Sequence, residues 1–259
     1  MLDPLALTGR SRGHVVELQA PRCTLHRDAV EPFLAMRGAA LAAGIDLVAV
    51  SSFRDFDRQR AIWNAKFRGE RPVLDRASRA LDALALPAAQ RVDAILWWSA
   101  LPGASRHHWG SDLDVIDRAA LPADATPQLV PAEFAAGGPF ARLDAWLDAH
   151  LHRFGFFRPY VSDRGGVSPE PWHLSYAPVS VPAAEALTVE VLREALCAAE
   201  AAGVAAAGAG PGVAGLEAVL AALPRIHARY VATTDAPRPG PGWVAAALAE
   251  ALSPRSRPS

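Results

Sequence analysis

Hydrophobic residues recur at helical spacing in some stretches of the chain and at strand-like spacing in others. Apolar positions three or four residues apart are typical of a helix with one buried face, whereas short apolar or alternating runs are typical of strands. The predicted helices are 28–44, 55–67, 81–98 with a break at Pro87, and 140–154, and the predicted strands are 46–50, 112–117 and 172–176.

The pattern changes after Pro182. Residues 183–232 are rich in alanine and have helical spacing, apart from a glycine-rich break at 203–215. The tail from Pro237 onward is rich in proline and arginine. We interpret residues 1–182 as one domain and 183–259 as a helical extension with a loose end.

Composition and charge exclude several classes of protein. The 259 residues are 51% hydrophobic and 20% charged, which is typical of a folded protein with a substantial core. A net charge of −1 gives no reason to expect nucleic acid as a partner. Because no signal peptide and no apolar run of about 20 residues is visible, we expect no membrane span and a cytoplasmic location.

The densest polar cluster is Ser105-Arg106-His107-His108-Trp109-Gly110-Ser111-Asp112-Leu113-Asp114. Zinc in catalytic sites is held by histidine nitrogens and carboxylate oxygens, and one position is left open. Residues an odd number apart point to opposite faces of a continuous strand, but Gly110 lets the backbone turn, so that a histidine and Asp114 can converge. The residues alone leave His107 or His108, and Asp114 or Asp112, as the ligands. The two cysteines, Cys23 and Cys197, form no CxxC motif, so a thiolate site is not expected, and the sequence does not decide whether they are paired.

A second cluster, Pro169-Glu170-Pro171-Trp172-His173, contains two prolines, which exclude a regular helix and disfavour a central strand. We therefore expect Glu170 and His173 on a shaped loop that leads into a strand. A carboxylate three residues from a ligand histidine can act on a water molecule at the metal without binding the metal itself.

These motifs resemble a known family. Ser-x-His-x-x-Gly-x-x-x-Asp stands at 105–114, Glu-x-Trp-His at 170–173, and an upstream Ser-x-Phe-Arg at 51–54, with Gln59 five residues after the arginine. In this order they are similar to the zinc D-Ala-D-Ala carboxypeptidases and dipeptidases of the vancomycin-resistance type, which share a fold group with the hedgehog signalling domain. The resemblance covers roughly residues 45–180. It implies an α+β fold, in which a small antiparallel sheet carries the metal and helices pack on it.

The resemblance also implies roles for individual residues. One Zn²⁺ per chain would be held by His107, Asp114 and His173, with Glu170 as the general base and Arg54 as a donor to the oxyanion. One departure is Asp112, where the family often has alanine. Contacts with the substrate would come from Ser105, Gln59 and Trp172.

The expected function is hydrolysis of peptidoglycan peptides or muropeptides that end in D-Ala, with residues 1–182 as the zinc peptidase domain. One alternative is an endopeptidase that cuts peptidoglycan cross-links with the same metal centre. Another is a zinc-stabilised binding module, although such a module would be expected to have lost its base, and Glu170 is present. The implied substrate also makes the periplasm or cell envelope an alternative location.

Overall fold

A computed structural model describes residues 1–122, 124–205 and 212–237. Part of the glycine-rich break and almost all of the proline- and arginine-rich tail therefore lie outside the described residues. The helices are α1 (Pro4–Leu7), α2 (Arg27–Ala42), α3 (Phe56–Phe67), α4 (Ala88–Leu96), α5 (Pro131–Phe134), α6 (Ala141–His150), α7 (Ala177–Ala186), α8 (Val189–Ala205), α9 (Leu216–Ala221) and α10 (Leu223–Ile226). The strands are β1 (Val15–Gln19), β2 (Arg22–His26), β3 (Leu47–Ser51), β4 (Val73–Leu74), β5 (Ala80–Leu81), β6 (Asp112–Asp117), β7 (Phe156–Phe157) and β8 (His173–Tyr176).

A four-stranded antiparallel sheet in the order β3-β6-β8-β7 forms the centre of the molecule. The register places Asp114 of β6 between Ser51 of β3 and His173 of β8. Together with the helices packed around it, this sheet confirms the predicted α+β class. Two residues that are 59 positions apart in the chain, Asp114 and His173, are therefore neighbours by strand pairing alone.

The central strand β6 is buried along its whole length. Side chains alternate between the faces of a strand, so Leu113 and Val115 point away from Asp112 and Asp114. Both apolar residues are fully buried in a cluster with Phe33 of α2. The opposite face of the strand is left to the two carboxylates, and burial there requires that each has polar partners.

Most of the predicted elements are confirmed, with boundaries that shift by a few residues. The β1–β2 hairpin was not predicted, because β1 is largely exposed and shows no apolar alternation. The predicted helix 140–154 ends at His150 and continues as a 3₁₀ turn, Leu151–Phe154. Helix α7 contains Pro182 and so runs through the predicted boundary between domain and extension.

The helices after that boundary pack into the same core as the preceding elements. Leu192, Leu196 and Leu223 are fully buried in one cluster with Trp63 of α3. The Trp63 indole also donates a hydrogen bond to the carbonyl of Ala214, at 2.9 Å. The described part of the extension therefore covers apolar surface of residues 1–182.

Two further features bear on partners and redox chemistry. Within the described part of the chain, no helix combines the length and the apolarity that crossing a membrane requires. Cys23 and Cys197 are both free thiols, and Cys23 is buried.

Candidate metal and catalytic site

Three separate segments bring His107, Asp114 and His173 together. His107 lies on a 3₁₀ turn, Arg106–Trp109, that precedes β6. One ligand atom from each of the three residues lies within 4.8 Å of the others, and all three residues are buried. The donor set of two imidazoles and one carboxylate, without a thiolate, suits a divalent metal with a catalytic role.

Gly110 explains how residues seven positions apart reach one point. It ends the 3₁₀ turn with a positive φ of 69°, in the left-handed region. A Cβ atom there would lie 2.6 Å from the backbone nitrogen of His26, so the close approach of the hairpin also requires glycine. The chain reverses at this residue and enters β6 with Asp114 aimed back toward His107.

The hydrogen bonds of His107 leave one of its nitrogens free for a metal. Its Nδ1 lies 2.9 Å from the carbonyl oxygen of Ser52, which can only accept, so Nδ1 carries the hydrogen. Burial, together with the charge of Arg54, lowers the pKa of His107 and keeps the ring neutral. Its Nε2 lone pair has no hydrogen-bond partner in the described residues and lies 3.4 Å from Oδ2 of Asp114. Two electron-rich atoms that face each other in a buried site favour a cation between them.

His173 is oriented by the carboxylate of Asp112. Its Nε2 lies 2.9 Å from Oδ1 of Asp112, which fixes the donor on that side of the ring. Its Nδ1 faces Asp114 at 3.5 Å and Glu170 at 3.1 Å. Burial opposes protonation, but the bonds to Asp112 and Glu170 outweigh it and raise the pKa of His173 to about 9. This ring position therefore attracts a positive charge, either a proton or a metal ion.

Asp112 lies behind His173 rather than facing the metal position. Its carboxylate accepts hydrogen bonds from Nε of Arg106 at 2.8 Å and from the hydroxyl of Ser111 at 2.6 Å. It is completely buried, and these partners compensate its charge. A carboxylate that holds the second nitrogen of a ligand histidine fixes the ring and makes it a better ligand. Asp114 is thus the carboxylate placed to bind the metal.

His108 is held away from the metal position by the backbone. Its Nδ1 donates to the carbonyl of Arg54 at 2.6 Å, and its Nε2 accepts from the backbone nitrogen of Gly103 at 3.1 Å. Both nitrogens are therefore satisfied in the neutral ring. Burial lowers the pKa of His108 to about 3. Protonation of Nε2 would also break the hydrogen bond that it accepts from Gly103.

Acid should therefore destabilise the fold through His108. The unfolded chain binds this proton near pH 6.5 and the folded protein only near 3, so stability is present above 6.5 and is lost as the pH falls. The expected slope is up to about 1.4 kcal/mol of unfolding free energy per pH unit for this group. Urea unfolding between pH 4 and 7 should show a shallower pH slope for His108→Gln than for the unaltered protein. Equal slopes would contradict this role.

A cavity of about 240 Å³ adjoins the candidate metal ligands His107, Asp114 and His173. Glu170, Arg54, Ser105 and Trp172 line it, together with His107, Asp114 and His173. Seven of the eight site residues predicted from the sequence therefore meet at one cavity.

Gln59 is the predicted site residue that does not line the cavity. It is fully buried, its Oε1 accepts from Arg54 at 3.0 Å, and its Nε2 donates to the carbonyl of Ala100 at 2.7 Å. Because both ends of the amide are engaged within the protein, Gln59 is placed to orient the Arg54 guanidinium rather than to contact a substrate.

Glu170 is held by the loop that carries it. Its backbone nitrogen donates to the carbonyl of Tyr160 at 2.8 Å, and its side chain is buried at the cavity wall. Burial raises the pKa of Glu170, although the contact with His173 opposes that shift. A carboxylate with a raised pKa is a better proton acceptor and is suited to general base catalysis.

Arg54 reaches the same point from the loop that precedes α3. One of its terminal nitrogens lies 3.7 Å from Oδ2 of Asp114, while its Nε has no hydrogen-bond partner within the described ranges. Its backbone nitrogen donates to the carbonyl of His107 at 3.2 Å, which ties the arginine loop to the ligand turn. A guanidinium so placed can donate hydrogen bonds to a ligand in the cavity.

Several cavity residues were missed by sequence reasoning. Tyr160 packs edge-on against the His173 ring at 5.2 Å, and burial raises the pKa of its phenol. Tyr230 belongs to the extension, so that segment contributes to the cavity wall. Lys66 lies seven residues, or about two helical turns, after Gln59 on α3. Residues at this spacing share one face of a helix, and this was the sequence signal that could have identified Lys66.

The chain is similar to known proteins in both sequence and fold. Residues 22–179 match the family model described as VanY, D-alanyl-D-alanine carboxypeptidase. The chain is 29% identical over 151 residues to a D-alanyl-D-alanine carboxypeptidase of Enterococcus faecalis, a match that covers 57% of this chain and 46% of that one. It is 48% identical over 103 residues to an uncharacterized protein of Haemophilus influenzae, covering 39% of this chain and 70% of that protein.

One similar solved structure is VanYB in complex with D-alanine-D-alanine. It has a TM-score of 0.48 and 23% identity, and the match covers 71% of this chain and 86% of that chain. The family match, in contrast, spans more than half of the chain and includes all eight residues that the motifs identified. The chain therefore belongs to the VanY D-alanyl-D-alanine carboxypeptidase family, whose members are hydrolases.

Proposed function

We propose that the protein is a zinc-dependent D-alanyl-D-alanine carboxypeptidase that acts on peptidoglycan peptides. The observation that carries this proposal is the cluster of His107, Asp114 and His173, whose ligand atoms lie within 4.8 Å of one another beside Glu170. The free Nε2 of His107 opposite a carboxylate oxygen is what a metal ligand requires and what an ordinary buried histidine avoids. Two histidines and one carboxylate are a ligand set that zinc uses in peptidases.

Glu170 and Arg54 have separate roles in the proposed hydrolysis. Zinc, when bound, supplies a Lewis acid that acidifies water and polarises the peptide carbonyl. Glu170 accepts the proton of the attacking water and then delivers it to the nitrogen of the leaving D-alanine. Arg54 donates hydrogen bonds to the oxygen on which negative charge develops. Both side chains are at the cavity wall, next to the ligand cluster.

Ser105 and Trp172 are the proposed contacts with the substrate. The Ser105 side chain does not cap the turn that follows it, so its hydroxyl is available to a ligand in the cavity. Trp172 stacks on Trp98 with ring centroids 6.4 Å apart, which makes a flat apolar wall. Gln59 is proposed to act through Arg54, as its hydrogen bonds indicate.

Incubation with two peptidoglycan substrates tests this proposal. The free pentapeptide should lose one D-alanine by mass spectrometry, whereas a cross-linked dimer should remain intact. Cleavage of the dimer without trimming of the pentapeptide would instead show an endopeptidase. A protein that binds the peptide and zinc but cleaves neither would be a binding module.

Arg54→Lys should retain zinc and lose most of its activity. Lysine keeps the charge but lacks the planar fork that the Gln59 amide orients. We expect kcat/KM to fall by about 100-fold or more, similar to the loss of one oxyanion donor. Zinc content and kcat/KM are measured on the same preparation, with Arg58→Lys, at an exposed position of α3, as the control. Near-normal turnover by Arg54→Ala would contradict the role.

A further inference from the structure

The Glu170 loop, residues 158–172, joins β7 to β8 and contains neither helix nor strand. Long connections of this kind have few hydrogen bonds of their own, so their conformation depends on contacts with other segments. A general base acts only when it lies within hydrogen-bond reach of the proton that it takes. The contacts that hold this loop therefore decide whether Glu170 is in place.

Asp235, which belongs to the extension, holds the first part of the Glu170 loop. Its Oδ2 accepts hydrogen bonds from the backbone nitrogens of Val161 at 2.8 Å and Ser162 at 3.0 Å. Its Oδ1 accepts from the Ser162 hydroxyl at 2.8 Å, and its own backbone nitrogen donates to the carbonyl of Pro159 at 2.9 Å. Burial opposes ionisation, but the hydrogen bonds from Ser162 and Val161 hold the pKa of Asp235 below its usual value.

The segment that Asp235 binds also holds Glu170. The carbonyl of Tyr160 accepts from the backbone nitrogen of Glu170 at 2.8 Å. Tyr160 stands between the Pro159 carbonyl and the Val161 nitrogen, and Asp235 is hydrogen-bonded to both. One residue therefore separates the Asp235 contacts from the backbone of the proposed base.

A second contact ties the middle of the loop to the extension. The Arg229 side chain donates to the carbonyl of Gly165. The carbonyl oxygen of Arg229 lies so close to Gly166 that a Cβ atom there would collide with it. Next to this contact, Tyr230 and Val231 line the cavity. One segment of the extension thus contacts the loop and forms part of the cavity wall.

Both contacts come from outside the family match, which ends at residue 179. The matched part of the chain contains Glu170, whereas Arg229 and Asp235 follow it in the extension. The extension therefore supports a residue of the proposed active site in addition to packing in the core.

We propose that Asp235 is a positioning residue for the general base, assisted by the contact between Arg229 and Gly166. It fixes the start of the Glu170 loop and, through Tyr160, keeps the Glu170 carboxylate beside the ligand cluster. This inference rests on the proposed function, because it takes Glu170 as the base. An aspartate with a purely structural role would contribute to stability and leave the turnover of each folded molecule unchanged.

Asp235→Leu and Asp235→Asn form a matched pair that tests the proposal. Leucine has the branched shape of aspartate but accepts no hydrogen bond, whereas asparagine keeps one oxygen that can accept from both backbone nitrogens. We expect kcat of Asp235→Leu to fall by roughly 10- to 100-fold, with KM and zinc content within about threefold, because a small displacement of a reacting group costs about this much. Asp235→Asn should keep about a third of kcat or more, because a neutral acceptor still forms these bonds.

Arg225→Met is the control for a loosened extension. Arg225 donates to Asp93 of α4 at 2.9 Å, so this variant removes a different contact between the extension and the preceding domain. Its kcat should equal that of the unaltered protein. A loss as large as that of Asp235→Leu would mean that any weakening of the extension has the same effect, and it would overturn the positioning role.

Hydrogen exchange followed by mass spectrometry gives a readout without turnover. In the zinc-loaded protein, Asp235→Leu should speed the exchange of amides in the Glu170 loop and leave those of β6 unchanged. Faster exchange in both would show a general loss of stability, and unchanged exchange in the loop would show that Asp235 does not hold it. Either result contradicts the proposal.

Gly166→Ala is a second variant, and it leaves Asp235 intact. The added methyl group must displace the Arg229 carbonyl, so kcat should fall by about 10-fold or more with zinc retained. If Asp235→Leu does not fold, this variant decides, and normal kcat overturns the inference. Normal kcat in folded Asp235→Leu, or equal losses in the leucine and asparagine variants, also overturns it, while the peptidase function stands. If the unaltered zinc-loaded protein releases no D-alanine, both fall.

Discussion

Glu170→Gln is expected to fold and bind zinc normally while losing hydrolysis by about 10⁴-fold or more. General base catalysis contributes roughly 10²- to 10⁴-fold, and the same carboxylate is also required to protonate the leaving amine. Glutamine has nearly the same volume and can still form hydrogen bonds in the buried site beside His173, but it cannot take up the proton. Zinc content and kcat are measured on one preparation, with the exposed Glu217→Gln as the control.

The two other possible roles of Glu170 give different results. If Glu170 were a zinc ligand, Glu170→Gln would lose metal together with activity. If it were only a loop residue, both would stay normal. Retention of more than about a tenth of kcat would rule out the base, because even the lower end of the expected effect is larger.

Asp114→Asn and Asp112→Asn form a matched pair that tests the metal ligands. The two carboxylates lie two residues apart on β6, and both are buried. Asp112 contacts the outer nitrogen of His173, so its loss should weaken zinc binding by about 10- to 100-fold. Asp114 faces His107 and His173 directly, so its loss should cost more than about 100-fold. Zinc dissociation constants from competition with a chelator measure both.

Folding is the control for this pair, because Asp112 also compensates the buried charge of Arg106. Removal of one partner of a buried ion pair is strongly destabilising, so zinc affinity is compared only for protein whose circular dichroism shows the native fold. A larger loss of zinc affinity in Asp112→Asn than in Asp114→Asn would mean that the ligand and its supporting carboxylate are exchanged.

The sequence predicted the parts of the site whose geometry follows from local rules. A glycine between a histidine and a strand allows both to converge, and Gly110 does this in the structure. The two prolines around Glu170 predicted a shaped loop that enters a strand, and β8 begins at His173. The choice between Asp112 and Asp114 could not be made from the residues, since it depends on which nitrogen of His173 each carboxylate faces.

Other parts depend on contacts between segments far apart in the chain. The buried Gln59 amide and the Lys66 ammonium lie on one face of α3, and nothing in the local pattern distinguishes a protein partner from a substrate. The separation of residues 183–259 as an extension rested on composition. Composition does not show that Trp63 packs in one core with Leu192 and Leu223.

Zinc reconstitution tests the central claim most directly. Metal-free protein is titrated with zinc while D-alanine release from the free pentapeptide is followed by mass spectrometry. The account predicts no release without zinc, a linear rise to one zinc per chain, and the loss of a single D-alanine from each peptide. Full hydrolysis by protein shown to be metal-free, or no hydrolysis after one zinc per chain has bound, would contradict it.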